Sequence, residues 1–233
     1  MRSYQVKDFE SGACFTEGPI PLPNAGQVQV RVEACGLNFA DTLMIKGTYQ
    51  DIPPLPATLG LELAGRVTAL GAGVTGLHLG QRVACYAGHG GLAEYAVVPA
   101  ERCIPVPDAM PITEAAGFQI AYGTSHLALS HAARMQAGET LLITGATGGV
   151  GMTAIEIGKR MGARVIAVAR GADKVQIALE AGADAAVDSD SPDLAEELKS
   201  MGGVDVVYDS IGGPLFKPCF RACKFESRYL VIG

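Results

Sequence analysis

The feature that most constrains this chain is an apolar run, Leu141-Leu142-Ile143, that empties into Gly145-Ala146-Thr147-Gly148-Gly149-Val150-Gly151 and then into a proline-free stretch. A buried strand that breaks on glycines and restarts as a helix opens a βαβ unit, with the helix N-terminus facing whatever anion the turn admits. Gly148 and Gly149 allow a backbone to approach a pyrophosphate, and Gly151 allows the helix to pack close to the strand. Ala146 takes the place of the usual first glycine, with Gly145 beside it supplying the freedom. The alternative is a glycine-rich turn that holds no ligand.

What surrounds the turn fits a parallel sheet. Strands are expected at Thr140–Thr144, Arg164–Ala169, Ala185–Asp188, Val204–Asp209 and 228–232, with helices at 150–161, 172–181, 193–201 and 214–224. Glycines at 162, 182 and 202 stand where helix C-caps are wanted. Alternating strands and helices define a doubly wound α/β sheet. The first half reads differently: apolar alternation at 27–32, 63–70, 81–85 and 93–99, broken by Gly and Pro, predicts a partly open β-barrel or sandwich. Residues 113–135, rich in Ala and Leu, are expected to be mostly helical. The expected domains are 1–110 and 111–233. The C-terminal one is expected to be incomplete, because its fifth strand ends at Gly233 with no covering helix. The sequence is therefore expected to be a fragment or to lack a further segment.

Composition removes other classes. With 48% hydrophobic and 18% charged residues, the chain is not disordered. A net charge of −6 leaves no overall basic footprint for nucleic acid or anionic lipid. No apolar run approaches the roughly 20 residues of a membrane helix, and the N-terminus lacks the apolar core of a secretory signal. Six scattered cysteines (14, 35, 85, 103, 219 and 223) fit reduced thiols in a cytoplasmic enzyme.

The nucleotide is indicated at the end of the second parallel strand. An NAD site places an Asp or Glu there to hold the ribose diol. This sequence has Ala169-Arg170-Gly171, with Lys174 one turn later. A guanidinium and an ammonium suit a 2′-phosphate, so NADPH is expected; the alternative is that both cations are solvated surface residues.

Several collinear segments carry a family resemblance: Gly36-Leu37-Asn38-Phe39-Ala40-Asp41, Gly47-Thr48-Tyr49, Gly60-Leu61-Glu62-Leu63-Ala64-Gly65, Gly90-Gly91-Leu92-Ala93-Glu94-Tyr95, Ala121-Tyr122-Gly123-Thr124, the glycine turn, and Tyr208-Asp209-Ser210-Ile211-Gly212. Together they resemble the zinc-independent NADPH:quinone oxidoreductase (zeta-crystallin-like) branch of the medium-chain dehydrogenase/reductase superfamily. The resemblance implies a GroES-like catalytic domain and a Rossmann domain with the site in the cleft between them, a longer chain that returns to the catalytic domain, and a homodimer in the full-length form. Zinc alcohol dehydrogenases of that superfamily have a Cys ligand where Asn38 stands and a His where Leu61 stands, and their structural zinc needs four closely spaced cysteines where only Cys85 and Cys103 lie. A metal-free mechanism is expected. His78, His89, His126 and His131 are then surface or helix residues, and Cys219 and Cys223 packing residues. Without zinc, the acceptor must delocalise its own charge, as a quinone or conjugated enone does, and hydrogen-bond donors supply the rest.

The resemblance assigns that donor role to Asn38 and Tyr49, with a turn-stabilising role for Asn38 as the alternative. Phe39 is expected to line the nicotinamide pocket, Asp41 to order the loop and Thr124 to touch the nicotinamide end. Gly148, Gly149 and Val150 match pyrophosphate contacts, Lys174 the 2′-phosphate lysine, and Ser210 and Gly233 strand tips facing the cofactor. Departures from the branch fall at Leu43, Ile45 and Ser189, where an aromatic, an Arg and a Tyr are usual. They leave open whether the small-molecule substrate is a quinone, an enone or an acyl-CoA thioester, and enoyl thioester reduction or non-catalytic NADPH binding are the alternatives.

Overall fold

A computed structural model describes residues 1–232; Gly233, assigned above to the cofactor, lies outside the described residues. The chain divides into two compact units, Met1–Ile120 and Ala121–Gly233.

The first unit is built from antiparallel strands. β1 (Arg2–Asp8) lies between β2 (Gly12–Glu17) and β4 (Ala57–Thr58) in a three-stranded sheet. β3 (Gln27–Gly36), β5 (Glu62–Leu70), β6 (Arg82–Tyr86), β7 (Tyr95–Pro99) and β8 (Cys103–Pro105) form another sheet in the order β7-β3-β5-β6-β8. A bridge between Ser3 and Ala93 ties the two sheets together, giving the partly closed barrel that the alternation predicts. Its core holds Val28, Val30, Leu63, Val67, Val83 and Val98, the inward positions of period-two strands. A short helix, α1 (Phe39–Ile45), follows β3.

The unit boundary falls later than the change of composition near residue 110. The Arg82 guanidinium on β6 donates to the carbonyls of Pro107 (3.0 Å), Asp108 (3.0 Å) and Met110 (2.6 Å), fixing the segment that leaves β8. Ala115 and Ala116 of α2 (Ile112–Ala116) then bury against Ala64 and Ala84, so this helix belongs to the barrel unit. Residues 113–135 are mostly helical, as expected, but not as one helix: α2 ends at Gly117. Beyond it come α3 (Phe118–His126) and a π-helical stretch, Leu127–Ala132.

The other unit is a parallel sheet of β9 (Thr140–Thr144), β10 (Arg164–Ala169), β11 (Ala185–Asp188), β12 (Val204–Asp209) and β13 (Cys223–Val231), in the order β11-β10-β9-β12-β13. This 3-2-1-4-5 arrangement is that of a Rossmann sheet, with its switch point between the first and fourth strands, β9 and β12. Helices α4 (Gly149–Arg160), α5 (Ala172–Glu180) and α6 (Leu194–Ser200) connect the strands, and glycines 162, 182 and 202 adopt the positive φ of helix stops. The last helix is shorter than the expected 214–224. A 3-10 turn, Gly213–Leu215, precedes α7 (Phe216–Arg221), and the chain is already extended at Cys223, opposite Val204. Phe216 and Phe220 pack on Tyr229, which holds α7 against β13.

Candidate functional site

In the barrel unit, the loop from β3 into α1 is held by two buried carboxylates. Asp41 accepts the backbone N–H of Asn38 (2.8 Å) and that of Gly60 (3.0 Å), so it orders the loop as expected. Glu62, 2% exposed, accepts the Asn38 amide Nδ2 (3.0 Å) on one oxygen and the Ile120 N–H (3.0 Å) on the other. The β3–β5 register sets Gly36 opposite Glu62, which is how residues far apart in sequence meet. Asn38 is thus both the residue preceding α1 and an amide of fixed orientation, half-buried at the surface of the unit.

Tyr49 is half-buried against the cluster of Val6, Met44, Leu59 and Leu61. Burial first, then Tyr86, Asp51 and Asp41, raises its hydroxyl above the ordinary value, so it remains an O–H donor at neutral pH. Phe39 opens α1 and is 79% exposed. Leu61 is 3% exposed in an apolar cluster and offers no lone pair. Burial, with Asp41 and Glu62 nearby, pushes the Cys35 thiol up to about 12, and the thiol donates to the Glu62 carbonyl (3.1 Å). Cys85 and Cys103 face each other at 3.4 Å inside the barrel core. Among the described residues, no group of three or more His, Cys, Asp or Glu side chains is placed to hold a metal ion.

In the Rossmann unit, the turn after β9 has the two properties a pyrophosphate needs. A Cβ on Gly151 would press into the Gly145 carbonyl oxygen and lie 2.8 Å from the Ala146 backbone, so α4 packs tightly on the strand end. Gly149, by contrast, has nothing within 4 Å of the same position. No side chain caps the helix, whose N-cap is Gly148, so its first N–H groups have no side-chain partner. These residues fit an anionic dinucleotide: Gly148, Gly149 and Val150 would hold its pyrophosphate.

Two hydrogen-bond networks support this turn, and sequence reasoning missed both. Ser125 on α3 bonds Tyr208 (3.0 Å), Thr153 (2.8 Å) and the Val150 carbonyl (2.9 Å), tying α3, β12 and the first turns of α4 together next to Thr124. At the switch point, Asp209 accepts Thr144 Oγ1, the Ile211 and Gly212 N–H groups, and the Tyr229 hydroxyl (2.7 Å). Burial alone would raise the Asp209 carboxyl, but these donors, Thr144 foremost, bring it below its ordinary value. Ser210 follows, its hydroxyl bonded to the Thr144 carbonyl (3.0 Å) at the edge of the turn. For the Asp209 network the outward signal was polar residues at the ends of otherwise apolar strands, Thr144 and Asp209; the Ser125 network left none.

At the end of β10, Arg170 and Lys174 are both exposed. Lys174 has no hydrogen-bond or ion-pair partner among the described residues, whereas the Arg170 Nε lies 3.7 Å from Asp190. The sequence places no carboxylate at the end of β10, but the neighbouring strand β11 delivers one.

The comparisons follow this division. Residues 24–108 match the family described as "Alcohol dehydrogenase GroES-like domain", and residues 149–233 the family described as "Zinc-binding dehydrogenase". The chain is 37% identical over 211 residues to quinone oxidoreductase-like protein 2 of Bos taurus, covering 89% of this chain and 60% of that protein. It thus spans about 60% of the length of the curated relatives it matches. Among solved structures, the quinone oxidoreductase of Thermus thermophilus, described also in complex with NADPH, superposes with a TM-score of 0.87 at 31% identity, covering 98% of this chain and 72% of that one. The CurK enoyl reductase gives a TM-score of 0.91 at 28% identity, covering 100% of this chain and 74% of that one. The chain belongs to the quinone oxidoreductase branch of the medium-chain dehydrogenase/reductase superfamily.

Proposed function

We propose that the protein is an NADPH-dependent, metal-free oxidoreductase that reduces quinones or conjugated enones. The observation that carries the proposal is the α4 turn, tight at Gly151 and open at Gly149, with an uncapped helix N-terminus beyond it. The Thermus relative, described in complex with NADPH, supports the choice of dinucleotide. Gly148, Gly149 and Val150 would meet the pyrophosphate, Arg170 and Lys174 the 2′-phosphate, and Thr124 and Ser210 the nicotinamide half. NADPH, when bound, supplies a hydride to the acceptor.

The barrel unit supplies the donors for the acceptor oxygen. Asn38 Nδ2 carries two protons and Glu62 takes one, leaving the second to donate to the acceptor oxygen. Tyr49, whose hydroxyl keeps its proton, is the other donor. Neither Asn38 nor Leu61 is a zinc ligand, so activation of the acceptor rests on these two hydrogen bonds. A quinone or enone spreads the incoming charge and needs no stronger acid. The likeness to an enoyl reductase favours a further reading, reduction of an enoyl thioester with the same donors. In either case the protein acts on a small molecule as a cytoplasmic homodimer.

Steady-state kinetics on Asn38→Ala tests the assignment. Loss of one well-placed donor costs on the order of 2.7–4 kcal/mol in the transition state, so kcat on a quinone falls about a hundredfold or more while NADPH Kd is unchanged. A variant that binds NADPH normally and reduces the quinone at the wild-type rate would reduce Asn38 to a turn residue.

A further inference from the structure

We propose that Asp190 sets how sharply the protein distinguishes NADPH from NADH, by competing with the 2′-phosphate for Arg170. The inference rests on the α4 turn being the dinucleotide site and adds a residue that works against the expected preference.

Asp190 is brought to the site by backbone register. In the parallel pairing of β10 with β11, Ala169 stands opposite Asp188. Beyond the pair, the Ser189 N–H donates to the Ala169 carbonyl (2.9 Å), and one Asp188 oxygen accepts the N–H groups of Gly171 (3.0 Å) and Asp190 (3.1 Å). Residues 188–190 are thereby clamped to 169–171, which puts the Asp190 carboxylate 3.7 Å from the Arg170 Nε. The clamp uses one oxygen of Asp188. The Asp190 side chain is 68% exposed and, among the described residues, accepts a hydrogen bond only from Ser189 besides facing Arg170. Of the two cations at the strand tip, Lys174 is free to meet an anion among the described residues and Arg170 already faces one.

The two dinucleotides differ in what they ask of this arrangement. A 2′-phosphate draws Arg170 away from Asp190 and leaves a carboxylate next to a phosphate, a like-charge contact. A plain ribose diol instead finds in Asp190 the acceptor that an acidic residue at this place provides. One carboxylate therefore weakens NADPH and supports NADH, so the protein discriminates less than Arg170 and Lys174 alone would allow. Both groups are exposed, which keeps the effect to about two- to fivefold and makes it salt-dependent.

Isothermal titration of NADPH, NADH, adenosine 2′,5′-bisphosphate and adenosine 5′-monophosphate against wild type, Asp190→Asn and Asp190→Ser tests this directly. Both variants should bind NADPH and the bisphosphate about two- to fivefold more tightly, with the monophosphate and NADH unchanged or weaker, and the gain should shrink at high salt. In an Arg170→Ala background the part of the gain that comes from freeing Arg170 should be lost, leaving only what relief of the like-charge contact supplies. Unchanged NADPH-to-NADH ratios in both variants, with wild-type NADPH binding intact, would overturn the role of Asp190 and leave the dinucleotide site standing. Wild-type protein that binds neither dinucleotide would overturn both.

Discussion

The glycine turn makes opposite demands at two positions two residues apart, and alanine substitution separates them. In Gly151→Ala the new methyl meets the Gly145 carbonyl oxygen and sits 2.8 Å from the Ala146 backbone, so strand end and helix must part by roughly 1 Å to restore ordinary contact. Forced overpacking of this kind costs about 1–3 kcal/mol, against about 0.4–1 kcal/mol recovered by removing a glycine from the unfolded chain. The difference is a net loss of up to about 2.6 kcal/mol, a fall in Tm of up to roughly 10 °C for a chain of this size. In Gly149→Ala the methyl meets nothing within 4 Å and φ is ordinary, so the free protein gains about 0.4–1 kcal/mol. In the proposed site that methyl would occupy the space the pyrophosphate needs. Displacing one charge-assisted contact costs about 1.5–3 kcal/mol, a loss of NADPH affinity of roughly ten- to a hundredfold. Differential scanning fluorimetry with and without NADPH reads both effects: Gly149→Ala is the more stable free protein and loses the ligand-induced shift, while Gly151→Ala is the less stable. If Gly149→Ala binds NADPH as tightly as wild type, the turn does not cradle the pyrophosphate.

Other consequences follow from single side chains. Lys174→Ala should weaken NADPH about tenfold and leave NADH unchanged in titration calorimetry, because the ammonium has no partner among the described residues other than the 2′-phosphate it would meet. Asp209 carries a lowered carboxyl pKa, so the stability it lends is complete above its ordinary value of 3.8 and is lost as pH falls through the depressed one. Thermal unfolding of Asp209→Asn should therefore fall below wild type at neutral pH, with the gap closing below pH 3.8.

What the sequence revealed was local. The strand, glycine turn and helix at 140–160 are set by residues adjacent in the chain, the alternation in β3 and β5 marks a half-buried sheet, and the continuous apolar runs of β10 and β12 mark strands buried on both faces. What it hid depends on register between distant segments. Glu62 orients Asn38 only because β5 returns beside β3, and a lone carboxylate among Leu61, Leu63 and Ala64 was the sole outward sign. The hydroxyls of Ser125, Thr153 and Tyr208 converge from two helices and a strand, each an unremarkable residue in its own element. Asp190 reaches Arg170 through the pairing of β10 with β11, so the residues at the end of β10 itself show cations alone. The early start of β13 was hidden because its opening residues, Cys223 and Lys224, continue the apolar and polar alternation of α7.

The central claim is that donors on the barrel unit, rather than a metal, activate a charge-delocalising acceptor for reduction by NADPH. The direct measurement follows NADPH absorbance with exhaustively chelated protein in the presence of a small quinone, a conjugated enone, an enoyl thioester and a saturated aldehyde. NADPH should be consumed with at least one of the conjugated acceptors and not with the aldehyde, at a rate unchanged by chelation. Activity that disappears on chelation and returns with added zinc, or that favours the saturated aldehyde, would contradict it.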